Sequence, residues 1–219
     1  AQTSDERLLP FLNKAMAEGH KKLFVVLHMY GSHFNYRDRY PQSRARFTPD
    51  TPTDAKPDNR PQLVNAYDNT ILQTDYILHS IIEKLRSTRA VAAMMYTSDH
   101  GEDIFDDRRH LFLHASPFPS YWQLHVPLVV WTSDAYRQRH ADLVATLEAN
   151  RHRAAESNRV FHTLLTLGGV ATRYRNDALS LASRAYANHP RLFVDDHNQP
   201  RTYDACLQPI DMEKMRTKE

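Results

Sequence analysis

Cysteine is nearly absent from this sequence of 219 residues, which carries a single thiol at Cys206. One cysteine excludes an internal disulfide, so packing and hydrogen bonds must hold the fold. Long apolar runs are missing too, because no stretch approaches the roughly 20 apolar residues that a membrane-spanning helix requires. No signal peptide is visible in the polar first residues. The chain as given is therefore predicted to be soluble.

A strong charge of one sign is also lacking. The 28 Lys and Arg side chains nearly balance the 26 Asp and Glu side chains, and the formal net charge is +2. The basic residues are scattered, which is typical of a solvated mixed-charge surface and predicts no nucleic-acid partner. Glycine is scarce as well, and two of the five glycines, Gly31 and Gly101, fall in turns that follow apolar runs.

The stretch YTSDHGE at residues 96–102 is the first candidate site. It ends an apolar run at residues 90–96, which predicts a buried strand that delivers polar side chains to the end of a sheet. Asp99 offers a hard oxygen and His100 a borderline nitrogen, a pair that suits zinc better than calcium or magnesium. Gly101 allows a sharp turn there. A solvated turn without metal is equally compatible with this motif alone.

Two further apolar runs predict strands of the same design. Residues 23–29 read LFVVLHM and lead into Gly31, Ser32 and His33, a pattern that favours a strand buried on both faces. Residues 126–131 read VPLVVW, and their proline indicates a strand start. Ligands of open α/β sheets bind outside the carboxyl ends of strands, so the three strand ends are expected to mark one site.

The remaining segments complete an α/β pattern. Helical spacing predicts helices over 5–18, with Ser4 or Asp5 as cap and Gly19 as stop, and over 63–85. Prolines interrupt a polar loop at 36–61, and loops of that length are usually functional or mobile. Further elements are expected at 135–149 and 159–167 as helices and at 192–194 as a short edge strand, with an irregular tail over 186–219. The order of elements favours one α/β layered domain over residues 1–219.

Five segments occur in the order and spacing of one enzyme family: residues 27–41, 64–78, 96–102, 113–117 and 125–131. Together they resemble the metal-dependent phosphoethanolamine transferases of the alkaline phosphatase and sulfatase superfamily, which modify lipid A or other envelope sugars. The resemblance covers roughly residues 5–180. It implies a three-layer α/β/α fold with a mixed sheet, here incomplete because upstream strands are missing.

The resemblance also assigns roles to individual residues. It implies that Asp99 and His100 are ligands of a catalytic zinc ion. It implies that His33 and His114 line the substrate phosphate as catalytic residues or hold a second metal. The sequence context favours His114 over His110 for this role.

Other polar residues in these motifs are expected to be structural. His28 is predicted to be a hydrogen-bonded histidine of the core, and Glu102 to hold the turn rather than bind metal. Three polar residues of the long helix are predicted to pack against their neighbours or to contact the site residues without binding metal themselves: Asn65, Asp68 and Asp75.

Two parts that the family requires have no match in this chain. The threonine nucleophile and an acidic metal ligand of the family lie well upstream of the Gly-Ser-His turn, and the membrane anchor lies further upstream. We therefore expect this chain to be the carboxyl-terminal part of the catalytic domain. With only two expected ligands, the fragment should bind zinc weakly and be inactive alone.

The resemblance predicts the reaction of the parent protein. It would transfer phosphoethanolamine from phosphatidylethanolamine to lipid A or another envelope glycan, at the periplasmic face of the bacterial inner membrane. Two alternatives remain open: a sulfatase or phosphodiesterase that hydrolyses its substrate, and a non-catalytic metal-binding or interaction domain. Exposed apolar surface or a sheet edge would also favour self-association of the fragment.

Overall fold

The protein is described by a computed structural model that covers residues 4–51, 54–114, 119–195, 197–203 and 207–216. The chain divides into two compact units. The first comprises residues 1–87 and 104–112, and the second comprises residues 88–103 and 113–219. Each unit has an apolar core of its own. No helix among the described residues is both long and apolar enough to cross a bilayer.

Two predicted helices are confirmed in the first unit. A 3-10 turn at Asp5–Leu8 leads into helix α1 at Leu9–Ala17, and the Ser4 hydroxyl accepts a hydrogen bond from the backbone N–H of Glu6 at 3.3 Å. Helix α2 spans Arg60–Thr88 and is the longest helix among the described residues. It buries Leu63, Ala66 and Ile77 on one face, as an amphipathic helix does, whereas Ile71 is 49% exposed.

The strand predicted at residues 23–29 is not formed. Phe24 and Val26 are 75% and 74% exposed, and His28 is exposed as well, so its prediction as a core histidine is wrong. Among the described residues, no backbone hydrogen bond involves residues 21–29. An apolar composition favours a strand, but a strand also requires a neighbour that bonds to its backbone, and the described part of the first unit supplies none here.

The proline-rich loop at 36–61 is held in place by α2. Its backbone forms short 3-10 turns at Tyr36–Arg39, Gln42–Arg44 and Pro57–Asn59. The buried Asn69 side chain accepts hydrogen bonds from the N–H groups of Arg46 at 2.8 Å and Phe47 at 3.0 Å. It also donates to the Phe47 carbonyl at 2.9 Å. One amide of α2 thus satisfies three backbone groups of the loop.

A buried polar pair lies inside the same loop. The Tyr40 hydroxyl donates to Asp50 at 2.8 Å, and neither residue is exposed by more than 4%. Burial, together with the neighbouring carboxylate of Asp50, raises the pKa of Tyr40 to about 12.

The second unit contains the two other predicted strands. Strand β1 spans Ala93–Thr97, and strands β2 at Asp103–Ile104 and β3 at Phe112–Leu113 are short and pair with each other. Strand β4 spans Leu128–Thr132, immediately after Pro127 as predicted. It pairs with β1 in antiparallel register, with Ala93 opposite Thr132 and Thr97 opposite Leu128.

The antiparallel pairing corrects one part of the predicted site. Because β1 and β4 run in opposite directions, their carboxyl ends lie at opposite ends of the pair. The residues that follow β4 are therefore not near the turn that follows β1. Instead, Ser133 accepts a hydrogen bond from the N–H of Tyr136 at 3.1 Å and caps the next helix.

The described helices between β1 and the tail are short. They are α3 at Tyr121–Leu124, α4 at Asp134–Arg139, α5 at Ala141–Asn150 and α6 at Arg159–Leu167. The helix predicted at 135–149 is thus divided in two, because His140 leaves the helical conformation at φ −129° and ψ 43°. The core between them includes Tyr136, whose hydroxyl donates to the Leu167 carbonyl at 2.8 Å.

The tail predicted to be irregular at 186–219 contains regular structure. Strands β5 at Leu192–Val194 and β6 at Pro200–Thr202 form an antiparallel hairpin, and helix α7 spans Pro209–Arg216. The weak sequence pattern here reflects elements of three to eight residues, which are too short to show clear periodicity. The single cysteine, Cys206, lies outside the described residues.

Candidate metal centre

The turn that follows β1 is held by its own side chains. The Ser98 hydroxyl donates to the carbonyl of His100 at 2.7 Å, and the Asp99 carboxylate accepts from the backbone N–H of His100 at 3.0 Å. The Asp99 side chain is 85% exposed. The predicted ligand pair is therefore presented at the surface of the second unit by a locally ordered turn.

Gly101 allows a close backbone approach in this turn. Its N–H donates to the carbonyl of Gln123 at 2.8 Å. A Cβ atom at position 101 would lie only 2.0 Å from the carbonyl oxygen of Trp122. The turn thus requires glycine because α3 lies against it, and this reason is stronger than the conformational freedom inferred from the sequence.

Three side chains after β1 form a group that could hold a metal ion. One ligand atom from each of His100, Glu102 and His114 lies within 4.8 Å of the other two. The two imidazole rings stack with centroids 3.7 Å apart and an interplanar angle of 30°. The Glu102 carboxylate is buried and lies 3.4 Å from Nδ1 of His114. Two imidazoles and one carboxylate match a common donor set of catalytic zinc sites, so the residues fit zinc.

Glu102 joins the two histidines in this group of possible ligands. It was expected to hold the turn, whereas its carboxylate lies among the possible metal ligands. Its position two residues after His100 could have indicated this grouping, because alternate residues of an extended chain point to the same side.

Asp99 lies beside this group. Its Oδ2 is 3.7 Å from Nε2 of His100, and it is not one of the three grouped side chains. Burial acts to raise the pKa of Asp99, but the charge of His100 and hydrogen bonds from the backbone and Ser98 outweigh it, so the pKa is lowered. An ionised carboxylate is the form that binds metal, and its role as a ligand stays a prediction.

His33 belongs to the first unit, and Asp5 holds the turn that precedes it. The Asp5 carboxylate accepts hydrogen bonds from the N–H groups of Tyr30 at 2.9 Å and Gly31 at 2.8 Å. Gly31 adopts φ +56°, a conformation that favours glycine. The His33 side chain is exposed and packs edge-on against Tyr30, while the Arg39 guanidinium donates to the His33 carbonyl at 2.9 Å. Its catalytic role stays a prediction.

The other candidates differ in their surroundings. His110 is exposed in the first unit and is not part of the grouped side chains. On α2, Asn65 donates to the Pro49 carbonyl at 2.9 Å, which fits the predicted packing role. Burial raises the pKa of Asp68, and Asp75 is exposed.

Comparison with known proteins identifies the family. The model of the family described as Sulfatase matches residues 1–170. The chain belongs to the sulfatase family. Relatives of this sulfatase-family chain include phosphoethanolamine transferase EptA of Salmonella typhimurium strain LT2, which is 36% identical over 157 residues. That match covers 68% of the chain and 28% of the relative. EptA of Helicobacter pylori is 30% identical over 180 residues, which cover 80% of the chain and 32% of the relative.

Solved structures confirm the predicted sulfatase-like α/β fold. The C-terminal periplasmic domain of EptC from Escherichia coli superposes with a TM-score of 0.80 at 22% identity, over 94% of this chain and 59% of that domain. A second structure of that domain is a complex with zinc. The soluble domain of lipooligosaccharide phosphoethanolamine transferase A from Neisseria meningitidis gives 0.75 at 27% identity, over 85% of the chain and 57% of that domain. This sulfatase-family chain thus spans less than a third of the full-length relatives named above and just over half of the solved domains.

Proposed function

We propose that this chain carries the metal-binding turn of a zinc-dependent phosphoethanolamine transferase. In the protein to which it belongs, phosphoethanolamine would pass from phosphatidylethanolamine, which is left as diacylglycerol, to lipid A or another envelope glycan. The observation that carries the proposal is the group formed by His100, Glu102 and His114, in a chain whose relatives are named as phosphoethanolamine transferases. By analogy with the periplasmic domains among the structural neighbours, the reaction would occur at the outer face of the bacterial inner membrane.

His100, Glu102 and His114 would hold the zinc ion, with Asp99 beside them. Bound zinc polarises a phosphoryl oxygen and lowers the pKa of a coordinated nucleophile. The chain's own side chains orient the site. The Glu102 carboxylate lies 3.4 Å from Nδ1 of His114 and would help to orient that ring. Asp99, His100 and His114 also line an open cavity of ≈ 1510 Å³ in the second unit, which offers room for a substrate headgroup.

His33 would serve the phosphoryl group, whereas His114 would hold the zinc ion beside that group. Imidazole N–H groups stabilise negative charge on a transferring group, and a protonated imidazole can donate a proton to the leaving oxygen. We propose that the threonine nucleophile and the remaining acidic ligand lie in the part of the whole protein that corresponds to the unmatched part of its relatives. We expect no turnover by residues 1–219 alone. The membrane anchor would likewise belong to that unmatched part.

The experiment that tests this proposal measures transfer by the whole protein that contains this chain. Labelled phosphatidylethanolamine and purified lipid A are the substrates, and mass spectrometry identifies the modified acceptor. His100→Ala and Glu102→Gln should abolish most of the transfer, whereas His110→Ala should retain it, because His110 is exposed and not part of the grouped side chains. Full transfer by His100→Ala protein would contradict the proposal.

A hydrolytic reaction is the second candidate, favoured by the sulfatase family match. A sulfatase or phosphodiesterase would release free phosphate, sulfate or phosphoethanolamine at full rate without lipid A. A transferase should release these products only slowly without lipid A and should form phosphoethanolamine-modified lipid A when the acceptor is present. The same assay without acceptor therefore separates the two reactions. If neither reaction occurs in the whole protein, the non-catalytic alternative gains support.

Self-association of the 219-residue chain is a further part of the proposal. The segment at residues 23–30 exposes the apolar side chains of Leu23, Phe24, Val26 and Tyr30, and the backbone of residues 21–29 makes no hydrogen bond within the described residues. Such a segment is a template for pairing with a second copy.

A further inference from the structure

The C-terminal helix α7 lies outside the region that matches the sulfatase family, which ends at residue 170. It nevertheless carries a carboxylate, Asp211, that is completely buried. Burying a charged group is costly unless it is well hydrogen-bonded, so a buried carboxylate at a chain's tail requires an explanation. Its neighbours in the second unit supply one.

Asp211 connects α7 to the short helix α3. Its carboxylate accepts a hydrogen bond from the backbone N–H of Tyr121, the first residue of α3, at 2.8 Å. Apolar contacts support this connection, because Leu207 and Met212 pack in one cluster with Tyr121 and Trp122. The Lys214 ammonium also lies 4.8 Å from the centre of the Trp122 ring. Helix α3 is therefore held on one side by the tail.

On its other side, α3 holds the metal turn. The carbonyl of Gln123 accepts the N–H of Gly101 at 2.8 Å. The buried carboxylate of Asp103 accepts from the Ser120 hydroxyl at 2.7 Å and from the Gln123 side-chain amide at 2.6 Å. The residues before and after Glu102 are thus both bonded to α3 or its cap.

These contacts connect the tail to the candidate ligands through α3. Asp211 fixes the start of α3, and α3 fixes residues 101 and 103. Residues 101 and 103 flank Glu102, which lies 3.4 Å from His114. We propose that α7 is a positioning element of the metal turn and that Asp211 is its positioning residue. The inference rests on the proposed zinc site, and it assigns to the tail a role that the family match does not cover.

The proposal predicts a local loosening of the turn when the connection is removed. In the zinc-free 219-residue chain, Asp211→Ala should increase amide hydrogen exchange in the peptide that covers residues 98–104, because the N–H of Gly101 loses its fixed partner. Outer contacts of metal ligands contribute on the order of tenfold to metal affinity. Zinc binding, measured by competition with a chromophoric chelator, should therefore weaken by about tenfold in this variant.

Two further variants separate positioning from general stability. Asp211→Asn retains a carbonyl oxygen that can accept the N–H of Tyr121, so it should preserve zinc affinity and exchange protection. Met212→Ala weakens the packing of α7 against α3 and leaves the Asp211 hydrogen bond in place. It gives a milder test if Asp211→Ala does not fold. The matched control is Asp195→Ala, a tail carboxylate whose partners are His197, Gln199 and Arg201 within the hairpin. It should alter neither the exchange of residues 98–104 nor zinc binding.

The outcomes distinguish this inference from the proposed function. Faster exchange and weaker zinc binding in Asp211→Ala or Met212→Ala, with both preserved in Asp211→Asn, would support the inference. Unchanged exchange and affinity, with only a lower melting temperature, would overturn it. If the unaltered chain binds no zinc but Asp211→Ala still increases exchange at residues 98–104, the positioning role stands and the zinc site fails.

Discussion

Replacing Gly101 with alanine tests the geometry of the metal turn with a single added atom. The new Cβ would lie 2.0 Å from the carbonyl oxygen of Trp122, whereas real Cβ atoms essentially never approach other atoms within 3.0 Å. The turn or α3 must therefore move by at least about 3.0 − 2.0 = 1.0 Å. Because the obstacle is a backbone atom, no side-chain rotation can relieve the clash.

The cost follows from two contributions. Forcing an extra carbon into a packed region costs about 1–3 kcal/mol. The hydrogen bond from the Gly101 N–H to the Gln123 carbonyl, 2.8 Å long, would be weakened or lost at a cost of about 0.5–1.5 kcal/mol. We expect Gly101→Ala to lower the free energy of unfolding by about 1.5–4.5 kcal/mol. A shift of the turn would also displace His100 and Glu102, so zinc affinity should fall on the order of tenfold.

Urea unfolding followed by circular dichroism measures the first effect, and zinc titration measures the second. Gly168→Ala is the matched control, because its added Cβ would meet the carbonyl oxygen of Leu164 at 3.3 Å, a tight contact but not an impossible one. We expect the control to change stability by less than about 1 kcal/mol. If Gly101→Ala were as stable as this control and bound zinc normally, the close approach of α3 to the turn would be refuted.

Three further predictions concern the first unit. Asn69→Ala should lower stability by about 2–4 kcal/mol in urea unfolding, because three backbone groups of the loop lose their partner; Asn65→Ala, which removes a single hydrogen bond, should cost less than half as much. The raised pKa of Tyr40 means that the folded state keeps a proton that the unfolded state loses, so stability should fall as pH rises from about 10 to about 12, and Tyr40→Phe should reduce that fall. Light scattering at increasing concentration should show that Val26→Lys reduces self-association, while Val170→Lys, at a valine of the second unit that is 45% exposed, does not. A monomeric unaltered chain at high concentration would contradict this last prediction.

Periodicity and turn residues were sufficient to predict most local elements. The helix at 63–85 and the strands ending near Tyr96 and Trp131 agree with α2, β1 and β4, because each has a clear apolar pattern and a defined end. Strand direction is different, since the same residues satisfy parallel and antiparallel pairing equally well. The sequence therefore could not show that Thr132 and Ser98 lie at opposite ends of the β1–β4 pair.

The candidate site was only partly predictable. His100 was identified from its position after a strand, and His114 from the family resemblance, and the structure brings the two together. Glu102 was predicted to hold the turn rather than to bind metal, because a carboxylate beside a turn has many uses and only its burial beside His114 distinguishes it. The contact between α7 and α3 could not be predicted either, since the 90 residues that separate Tyr121 from Asp211 give no sequence signal.

Zinc binding by the 219-residue chain tests the central claim most directly. Competition titration should show one zinc ion per chain, with affinity at least about tenfold weaker in Glu102→Gln, which removes the charge of a proposed ligand while keeping its size. Glu148→Gln, at a carboxylate that is 61% exposed and paired with Arg137, should bind zinc like the unaltered chain. Equal zinc affinity in Glu102→Gln and the unaltered chain, or no zinc binding at all, would contradict the assignment of His100, Glu102 and His114 as the metal centre.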